Sequence, residues 1–422
     1  MKVKNLLAVV LCFAGQALAQ DSSNVRTVGY YDTPGTACGV TVSGNYAYVA
    51  DGYSGLRILD ISNPANPNEI GFYDTPDCAC YVTVSGNYAY VADSDSGLRI
   101  IDISDPASPT EAGYKVFDNG GFAQSVAVSG CYAYVADGSE GLRIIDISNP
   151  ESPTEAGYYY QAYGYSVVVS GNYAFVADGS KNLWSIDISD PTNPNELGRY
   201  WSSCGRILGV AVSGIFAFVV DLYDDYSSWQ TTYICRLRVM NISNPASPVE
   251  IGHYDIGHYD IMSWDYSVVL SGRYAYVTDG SLHIIDISDP YHPSQGGHYT
   301  TSSGAKGVTV TGDYVYVANG EYGLGIYQGY GSADLEAKKI KLVVIGNRIE
   351  YLLQRSAHTY IKIYNLLGQK VGNITDEYQG AGFHQVTWNG KNQSGRRVSS
   401  GVYLVRLESN GQAATGKMLI VR

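Results

Sequence analysis

The stretch VSGNYAYVADGYSGLRILDISNP, residues 42–64, decides the fold of this chain, because it returns almost unchanged at residues 84–106 as VSGNYAYVADSDSGLRIIDISDP. Residues 46–50 alternate between aromatic and smaller apolar side chains after a Ser-Gly-Asn turn, which is typical of a β-strand. Residues 56–61 indicate a further strand, and the following Ser-Asn-Pro ends it. The repeat has no helical periodicity, so the chain is predicted to be built from short strands and turns.

Seven turn glycines mark seven such units: Gly44, Gly86, Gly130, Gly171, Gly214, Gly272 and Gly312. A period of about forty residues with several short strands per unit predicts propeller blades rather than a helical solenoid. The seventh unit stops at GLGIYQ without a fourth strand, whereas residues 25–33, VRTVGYYDT, resemble the fourth strand of the other units. We therefore predict an all-β fold, a seven-bladed β-propeller closed by its N-terminal strand.

The phrase LRIIDIS, followed by NP or DP, resembles the LVIVD-repeat family of exported bacterial propellers. Six units carry a version of it, at residues 56–64, 98–106, 142–150, 183–191, 237–245 and 282–290. The resemblance implies a secreted or surface-displayed β-propeller over residues 20–331. It implies no catalytic residues.

Residues 332–422 have a different composition, with 13 Lys and Arg against 6 Asp and Glu, whereas residues 20–331 have 12 against 34. Short alternating strands between Gly, Asn and Ser turns predict a small Ig-like β-sandwich here. In the motifs KIYNLLGQ, WNG and SGVY, this segment resembles the Ig-like C-terminal domains of flagellar hook-capping type and the related type IX secretion sorting domains. The resemblance implies an export address that the secretion machinery reads at the outer membrane, with a plain adhesion-type sandwich as the alternative.

The first residues, 1–19, combine two lysines, a short apolar run and a terminal Ala-Leu-Ala, which predicts a signal peptide cleaved after Ala19. The apolar run is too short to span a bilayer, so no membrane span is expected. The chain has a net charge of −13, and an acidic body of this kind repels nucleic acid and anionic membrane surfaces. We therefore expect a secreted or cell-surface protein that binds no nucleic acid.

The repeat breaks most strongly in the loops of units four to six. The fifth unit inserts LYDDYSSWQTTYIC, and the loop into the sixth lengthens to HYDIGHYDIMSWDYS. Loops after the second and fourth strands of a propeller emerge on one face. Tyr, Trp and Arg dominate contact energies at interfaces, and aromatic rings stack on sugars. These loops therefore predict a binding face for a protein or glycan. The alternative is that these side chains pack on one another and only hold the long loops in place. The candidate residues are Trp201, Arg206, Tyr223, Asp224, Asp225, Tyr226, Trp229 and Trp264.

The common catalytic motifs, such as GxSxG, HExxH and the phosphate-binding Gly-rich loops, do not occur in the sequence. We predict no catalytic residues, no cofactor and no metal site. An extracellular polysaccharide lyase or hydrolase that uses Arg206, Asp224, Asp225 and His258 is the alternative function, and a structural surface-layer component is a third. The Asp or Asn that ends each second strand is interpreted as the cap of a local turn. These residues are Asp51, Asp93, Asp137, Asp178, Asp221, Asp279 and, in the last unit, Asn319.

Six cysteines remain after the predicted signal peptide, and export would place them in an oxidising compartment. Cys204 and Cys235 border the insertion of the fifth unit, and Cys38 and Cys80 occupy matching positions in neighbouring units. Both pairs are predicted disulfides.

Overall fold

The computed structural model describes residues 22–117, 120–203, 205–225, 232–259, 266–301, 304–329, 341–345, 347–353, 357–365, 368–379, 382–409 and 412–420. The predicted signal peptide, residues 1–19, lies outside this range. The chain divides into two units, Met1–Gly329 and Tyr330–Arg422. Within the described residues every regular element is a β-strand.

The first unit contains seven antiparallel sheets of four strands, the blades of the propeller, numbered here by their inner strands. The inner strands are Gly39–Ser43, Tyr81–Ser85, Ala123–Ser129, Ser166–Ser170, Gly205–Ser213, Ser267–Ser271 and Val308–Thr311. The second strands are Tyr46–Ala50, Tyr88–Ala92, Tyr132–Asp137, Tyr173–Ala177, Phe216–Asp225, Tyr274–Thr278 and Tyr314–Ala318. The third strands are Leu56–Asp60, Leu98–Asp102, Leu142–Asp146, Asn182–Asp187, Thr232–Asn241, Leu282–Asp286 and Leu324–Gly329. The fourth strands are Asn68–Tyr73, Thr110–Lys115, Thr154–Tyr159, Asn195–Trp201, Val249–Tyr259, Ser294–Tyr299 and, for blade 7, Val25–Tyr31.

The inner strands contact one another in chain order, and the inner strand of blade 7 also contacts that of blade 1. The all-β, seven-bladed propeller predicted from the repeat is therefore the observed architecture. Val25–Tyr31 pairs antiparallel with Leu324–Gly329, with Val25 opposite Gly329 and Tyr31 opposite Leu324. The preceding Ser22–Ser23 adds a short fifth strand at the outer edge of blade 6. Blade 7 thus contains strands from both ends of the repeat region.

Neighbouring blades pack through large side chains on one sheet and small ones on the next. Between blades 1 and 2, Tyr48 and Ile58 of blade 1 pack in one buried cluster with Ala89 and Val91 of blade 2. Ala89 has no exposed surface and Tyr48 only 3%. This alternation of ring and methyl group lets twisted sheets stack without voids, which is why the second strand repeats its Tyr-Ala-Tyr-Val pattern.

The fourth strands of blades 1 to 5 and of blade 7 also touch the next blade, and this contact requires glycine. A Cβ atom on Gly71 of blade 1 would lie 2.2 Å from the carbonyl oxygen of Pro106, in the turn of blade 2. In the same way, a Cβ atom on Gly29 of the N-terminal strand would lie 2.2 Å from the carbonyl oxygen of Pro64 in blade 1. The repeated glycine therefore permits close backbone approach between blades.

An Asp or Asn late in the third strand of blades 1 to 6 caps the turn that follows. The backbone amide of Ser62 donates to a carboxylate oxygen of Asp60 at 2.8 Å, and Ser104 donates to Asp102 at the same distance. The pattern recurs at Asp146, Asp187, Asn241 and Asp286. These are local Asx turns, and they account for the Asp or Asn before every Ser-Asn-Pro or Ser-Asp-Pro break.

The second unit is a small two-sheet β domain. One sheet contains Lys341–Ile345, Arg348–Leu353 and Gly382–Thr387, and the other contains Lys370–Gln379, Ala357–Tyr364, Gly401–Ser409 and Gln412–Ile420. Its core includes Ile361, Val405, Trp388 and Met418, all at most 4% exposed. The predicted β-sandwich at the C-terminus thus has its own hydrophobic core.

Candidate functional site

The loops after the second and fourth strands meet on one face of the propeller, called here the loop face. Short bridges join the loop after the second strand of one blade to the loop that enters the next blade. They are Gly52 with Ala79, Ser94 with Ala123, Gly138 with Gly164, Gly280 with Ala305, and Gly320 of blade 7 with Ala37 of blade 1. The bridges place these two sets of loops side by side, as the sequence analysis assumed.

Exposed aromatic side chains are spread over the loop face rather than confined to blades 4 to 6. Tyr53 is 83% exposed in the loop after the second strand of blade 1, and Tyr322 occupies the equivalent loop of blade 7. The loops that follow fourth strands carry others. The exposed aromatic residues of this face are Tyr53, Phe122, Tyr160, Tyr163, Trp201 and Tyr322.

Blade 5 rises above its neighbours on this face. Its second and third strands have ten residues each and its fourth has eleven, whereas these strands in the other blades have five to seven. At about 3.3 Å per residue, four or five extra residues extend the hairpin by roughly 15 Å. The insertion that the sequence analysis singled out is therefore a continuation of the sheet as far as Asp225 and from Thr232.

Tyr223 is held by an arginine that the sequence analysis did not select. The guanidinium of Arg236 lies 4.6 Å from the centre of the Tyr223 ring and donates to its hydroxyl at 2.9 Å. Arg236 also donates to both carboxylate oxygens of Asp255 on the neighbouring strand. Sequence spacing gave no signal for this contact, because it depends on the register of three extended strands.

The remaining candidate residues are placed as follows. Trp201 ends the fourth strand of blade 4, is 59% exposed, and has the ammonium of Lys181 at 5.6 Å from its ring. Arg206 lies half-buried in the inner strand of blade 5, opposite Leu222. The backbones of Asp224 and Asp225 pair with Tyr233 and Thr232. Tyr226, Trp229, Trp264 and Cys204 lie outside the described residues, as do the side chains of Asp224, Asp225 and His258.

A cavity of about 510 Å³ occupies the central channel. One residue of each blade, six positions before the turn glycine, lines it where the inner strands begin on the loop face. These residues are Cys38, Cys80, Gln124, Tyr165, Leu208, Tyr266 and Lys306. The position two residues later is Val in every unit, so the lining residue is the one that varies. This variation within a constant strand is the signal in the sequence that points to these seven residues.

The acids that end the second strands are buried. Asp178 and Asp279 accept hydrogen bonds from backbone amides two to four residues further on, as the turn-capping interpretation predicts, whereas Asp51 is bonded by another segment, which corrects the interpretation there. Asp51 has no exposed surface and accepts hydrogen bonds from the Thr33 hydroxyl at 2.5 Å and the Gly35 amide at 2.8 Å. Both partners lie in the segment that enters blade 1. The missed partner is the arginine of the third strand, which lies beside the acid in several blades. These pairs are Arg57 with Asp51, Arg99 with Asp93, Arg143 with Asp137 and Arg238 with Asp221.

The arginines of blades 1 to 3, Arg57, Arg99 and Arg143, also face a ring on the fourth strand. The Arg57 guanidinium lies 4.6 Å from the ring centre of Phe72, and Arg99 lies 4.7 Å from that of Tyr114. In blade 4 the order is reversed, since Arg199 of the fourth strand lies 4.7 Å from Trp184 of the third. The buried acids therefore belong to structural networks that tie loop, third strand and fourth strand together.

Burial raises the pKa of Asp137 from 3.8 to about 6, against the lowering effect of the hydrogen bond and charge of Arg143. Between these two values the folded chain holds this proton more tightly than the unfolded chain does, so the free energy of unfolding falls as pH rises through that window. Burial shifts the pKa values of Asp51, Asp93 and Asp221 in the same direction. The propeller should therefore be more stable near pH 5 than near pH 7.

We expect Asp137→Asn to flatten this pH dependence, measured as the thermal unfolding midpoint at intervals from pH 4 to pH 7.5. Asp146→Asn is the matched control, because hydrogen bonds from Ser148 lower the pKa of that exposed carboxyl and its effect falls below pH 4. The control also carries the same change in net charge. An Asp137→Asn curve parallel to that of the unaltered protein would contradict the assignment.

The described cysteines hold thiols rather than disulfides. Cys235 is fully buried in the core of blade 5, and its predicted partner Cys204 lies outside the described residues. The sulfur of Cys38 lies 3.2 Å from the Thr36 carbonyl oxygen, and that of Cys80 lies 3.4 Å from the Cys78 carbonyl oxygen. The pairing of Cys38 with Cys80 stays a prediction.

Among the described residues, no group of three or more His, Cys, Asp or Glu side chains is arranged to hold a metal ion. That same part of the chain contains no helix with the length and apolar character needed to cross a membrane.

Seven segments of the chain match the LVIVD repeat, and together they cover more than half of it. The segments are residues 34–75, 78–114, 120–161, 163–202, 232–256, 266–301 and 303–326. Residues 347–413 match the FlgD Ig-like domain. No curated protein matches the chain.

Solved structures resemble this chain at low sequence identity. The computationally designed Ika8 protein superposes with a TM-score of 0.51 at 10% identity, covering 72% of this chain and 98% of its own. PorZ, described as an essential bacterial surface component of the type-IX secretion system of Porphyromonas gingivalis, gives 0.50 at 13% identity, covering 93% of this chain and 60% of PorZ. BamB from Moraxella catarrhalis gives 0.48 at 13% identity, covering 72% of this chain and 98% of BamB. At these identities the likeness concerns the fold alone.

Proposed function

Because this chain belongs to the LVIVD repeat family, we propose that it is an exported, cell-surface binding protein whose propeller holds a protein or glycan partner on the loop face. The observation that carries the proposal is the set of exposed aromatic side chains on that face. An exposed Trp or Tyr costs solvation free energy that a bound partner recovers, and such residues dominate measured interface energies. The extended hairpin of blade 5 would add a wall beside this surface.

The residues predicted from sequence form the core of the proposed surface. Trp201 and Tyr223 each lie next to a cation, Lys181 and Arg236 respectively. A ring held by a cation is ordered before binding, which lowers the entropy lost on contact. Rings with carboxylates close by suit sugars, whose hydroxyls need acceptors while their apolar faces stack on the ring.

The C-terminal unit is proposed to act in export or anchoring rather than in binding. Its match to the FlgD Ig-like domain and the resemblance to type IX sorting domains support this role. The fold likeness to PorZ, a surface component of that secretion system, is compatible with it. The propeller would then be the part displayed outside the cell.

The test is a glycan-array and surface pull-down screen with the full chain and with a variant carrying Trp201→Ala, Trp229→Ala and Trp264→Ala. We expect the triple variant to bind at least about tenfold more weakly, since one hot-spot tryptophan that contributes about 1.4 kcal/mol is enough for a tenfold loss. Tyr291→Ala is the matched control, because Tyr291 is 58% exposed in a turn that follows a third strand, away from the loop face.

Unchanged affinity in a folded triple variant would contradict the proposed surface. A chain that ends at Gly329 separates the two roles, because the propeller has cores of its own. It should bind like the full chain when purified and should fail to reach the cell surface when expressed with its native start. Surface display of this shortened chain would contradict the export role.

A further inference from the structure

Three cysteines converge at the loop-face end of the channel, where blade 1 meets blade 2. Cys38 and Cys80 occupy equivalent positions of the two blades and both line the cavity, whereas Cys78 lies two residues before Cys80. The Cys38 sulfur lies 3.2 Å from the Thr36 carbonyl oxygen, and a Cβ atom on Gly52, which bonds to Ala79 between the other two cysteines, would lie 3.2 Å from that same oxygen. All three residues are partly exposed, so a small reagent in the channel mouth can reach them.

The contact across the blade boundary is fixed by the backbone. A Cβ atom on Gly39, next to Cys38, would lie 3.2 Å from the Cys80 carbonyl oxygen, so the backbones of blades 1 and 2 are in contact at this level. Ala79, between the other two cysteines, exchanges hydrogen bonds with Gly52 at 2.9 and 3.2 Å. The pinned Ala79 peptide disfavours a bond between Cys78 and Cys80, which would close a strained small ring.

The electrostatics favour one thiolate in the group. Hydrogen bonds from the Cys38 and Cys80 thiols lower the pKa of Cys78, the charge of Lys306 lowers it further, and burial opposes them only in part. The pKa of Cys80 is raised, first by its hydrogen bond to Cys78 and then by burial. A thiolate stabilised by two thiol donors is the arrangement in which a cysteine attacks a disulfide.

We propose that Cys38, Cys78 and Cys80 form a thiol–disulfide exchange site for small disulfides, with Cys78 as the attacking sulfur and Cys38 as the resolving one. The Cys78 thiolate attacks one sulfur of a disulfide RS–SR, forms a mixed disulfide and releases RS⁻. The Cys38 sulfur, after losing its proton, then attacks Cys78 and releases the second RS⁻. Two protein thiols are oxidised to one disulfide, one RS–SR is reduced to two thiols, and the two protons go to the released thiolates. The product joins blades 1 and 2.

Oxidised glutathione is the probe for this site, applied to the full chain after reduction and removal of the reductant. Trypsin cleaves after Arg57 and Arg99, so the product should appear as a cross-link between the peptide that contains Cys38 and the one that contains Cys78 and Cys80. Cys80→Ser should give the same cross-link. Cys38→Ser should instead accumulate a glutathione adduct on Cys78, and Cys78→Ser should give neither product.

Alkylation by iodoacetamide at pH 6 gives a second readout that does not depend on disulfide geometry. We expect Cys78 to react roughly tenfold or more faster than the exposed thiol of Cys131, because thiolate content sets the rate. Equal rates at Cys78 and Cys131 would overturn the proposal. A cross-link that persists in Cys78→Ser would also overturn it, in favour of the Cys38–Cys80 pair predicted from sequence.

Discussion

Deleting residues 22–31 is expected to lower the free energy of unfolding of the propeller by about 5 kcal/mol or more. The deleted strand pairs through six residue positions with Leu324–Gly329, and each net hydrogen bond contributes about 1 kcal/mol. Val25, only 6% exposed, adds about 2 kcal/mol of buried apolar surface. The deletion also leaves the third strand of blade 7 as an open edge, so the deleted chain should aggregate more readily. Circular dichroism melts and light scattering measure both effects.

Two further experiments test whether the effect of this deletion comes from the loss of ring closure. A chain that ends at Gly329 also loses residues, but these belong to the other unit, and its propeller transition should stay in place. A synthetic peptide of residues 22–35 added to the deleted chain should restore the midpoint by strand addition. A deletion that leaves the midpoint unchanged would show that Val25–Tyr31 does not close the ring.

Arg238→Ala is expected to lower the free energy of unfolding by about 3–5 kcal/mol, the largest effect of any single substitution considered, because it leaves a buried carboxylate without its cation. Arg238 is 6% exposed and Asp221 is not exposed at all. The guanidinium contacts Asp221 at 2.5 and 2.6 Å and Glu250 at 2.7 Å. Urea unfolding curves measure the change.

The comparison that isolates the buried charge is the double variant Asp221→Asn, Arg238→Met. It removes both charges and should be less destabilised than Arg238→Ala, since no uncompensated ion remains. Arg236→Ala on the same strand is the matched control and should cost about 1 kcal/mol or less, because its partner Asp255 has a 44% exposed side chain. Equal losses for Arg236→Ala and Arg238→Ala would contradict the argument.

Blade 4 is a natural version of this experiment. Trp184 replaces the arginine, and Asp178 accepts neutral hydrogen bonds from the Trp184 indole at 3.2 Å and from the Asn182 side chain at 2.5 Å. The buried acid therefore tolerates loss of the cation when the strand supplies other donors. This exchange explains how blade 4 keeps its buried acid without the third-strand arginine.

Local pattern was sufficient for the parts of the fold that each unit repeats. The turn at Gly44 needs a positive φ, which is observed at +60°, and the alternation that follows it needs a strand. Similar reasoning located the insertion in blade 5. It misjudged Asp51, because a buried acid and a turn-capping acid have the same neighbours in sequence, and only packing distinguishes them.

The number of blades, the seven glycine turns and the loops in which the repeat fails could be predicted from the sequence, because these follow from side-chain period and turn chemistry within about forty residues. Which of the non-repeating residues meet depends on how the blades pack. Cys38, Cys80 and Lys306 come from the first, second and seventh blades, and they line one cavity because inner strands that start at one level surround a single channel. The physical reason is that burial and charge coupling depend on distance in space, which a repeating sequence leaves open until the blades pack as a ring.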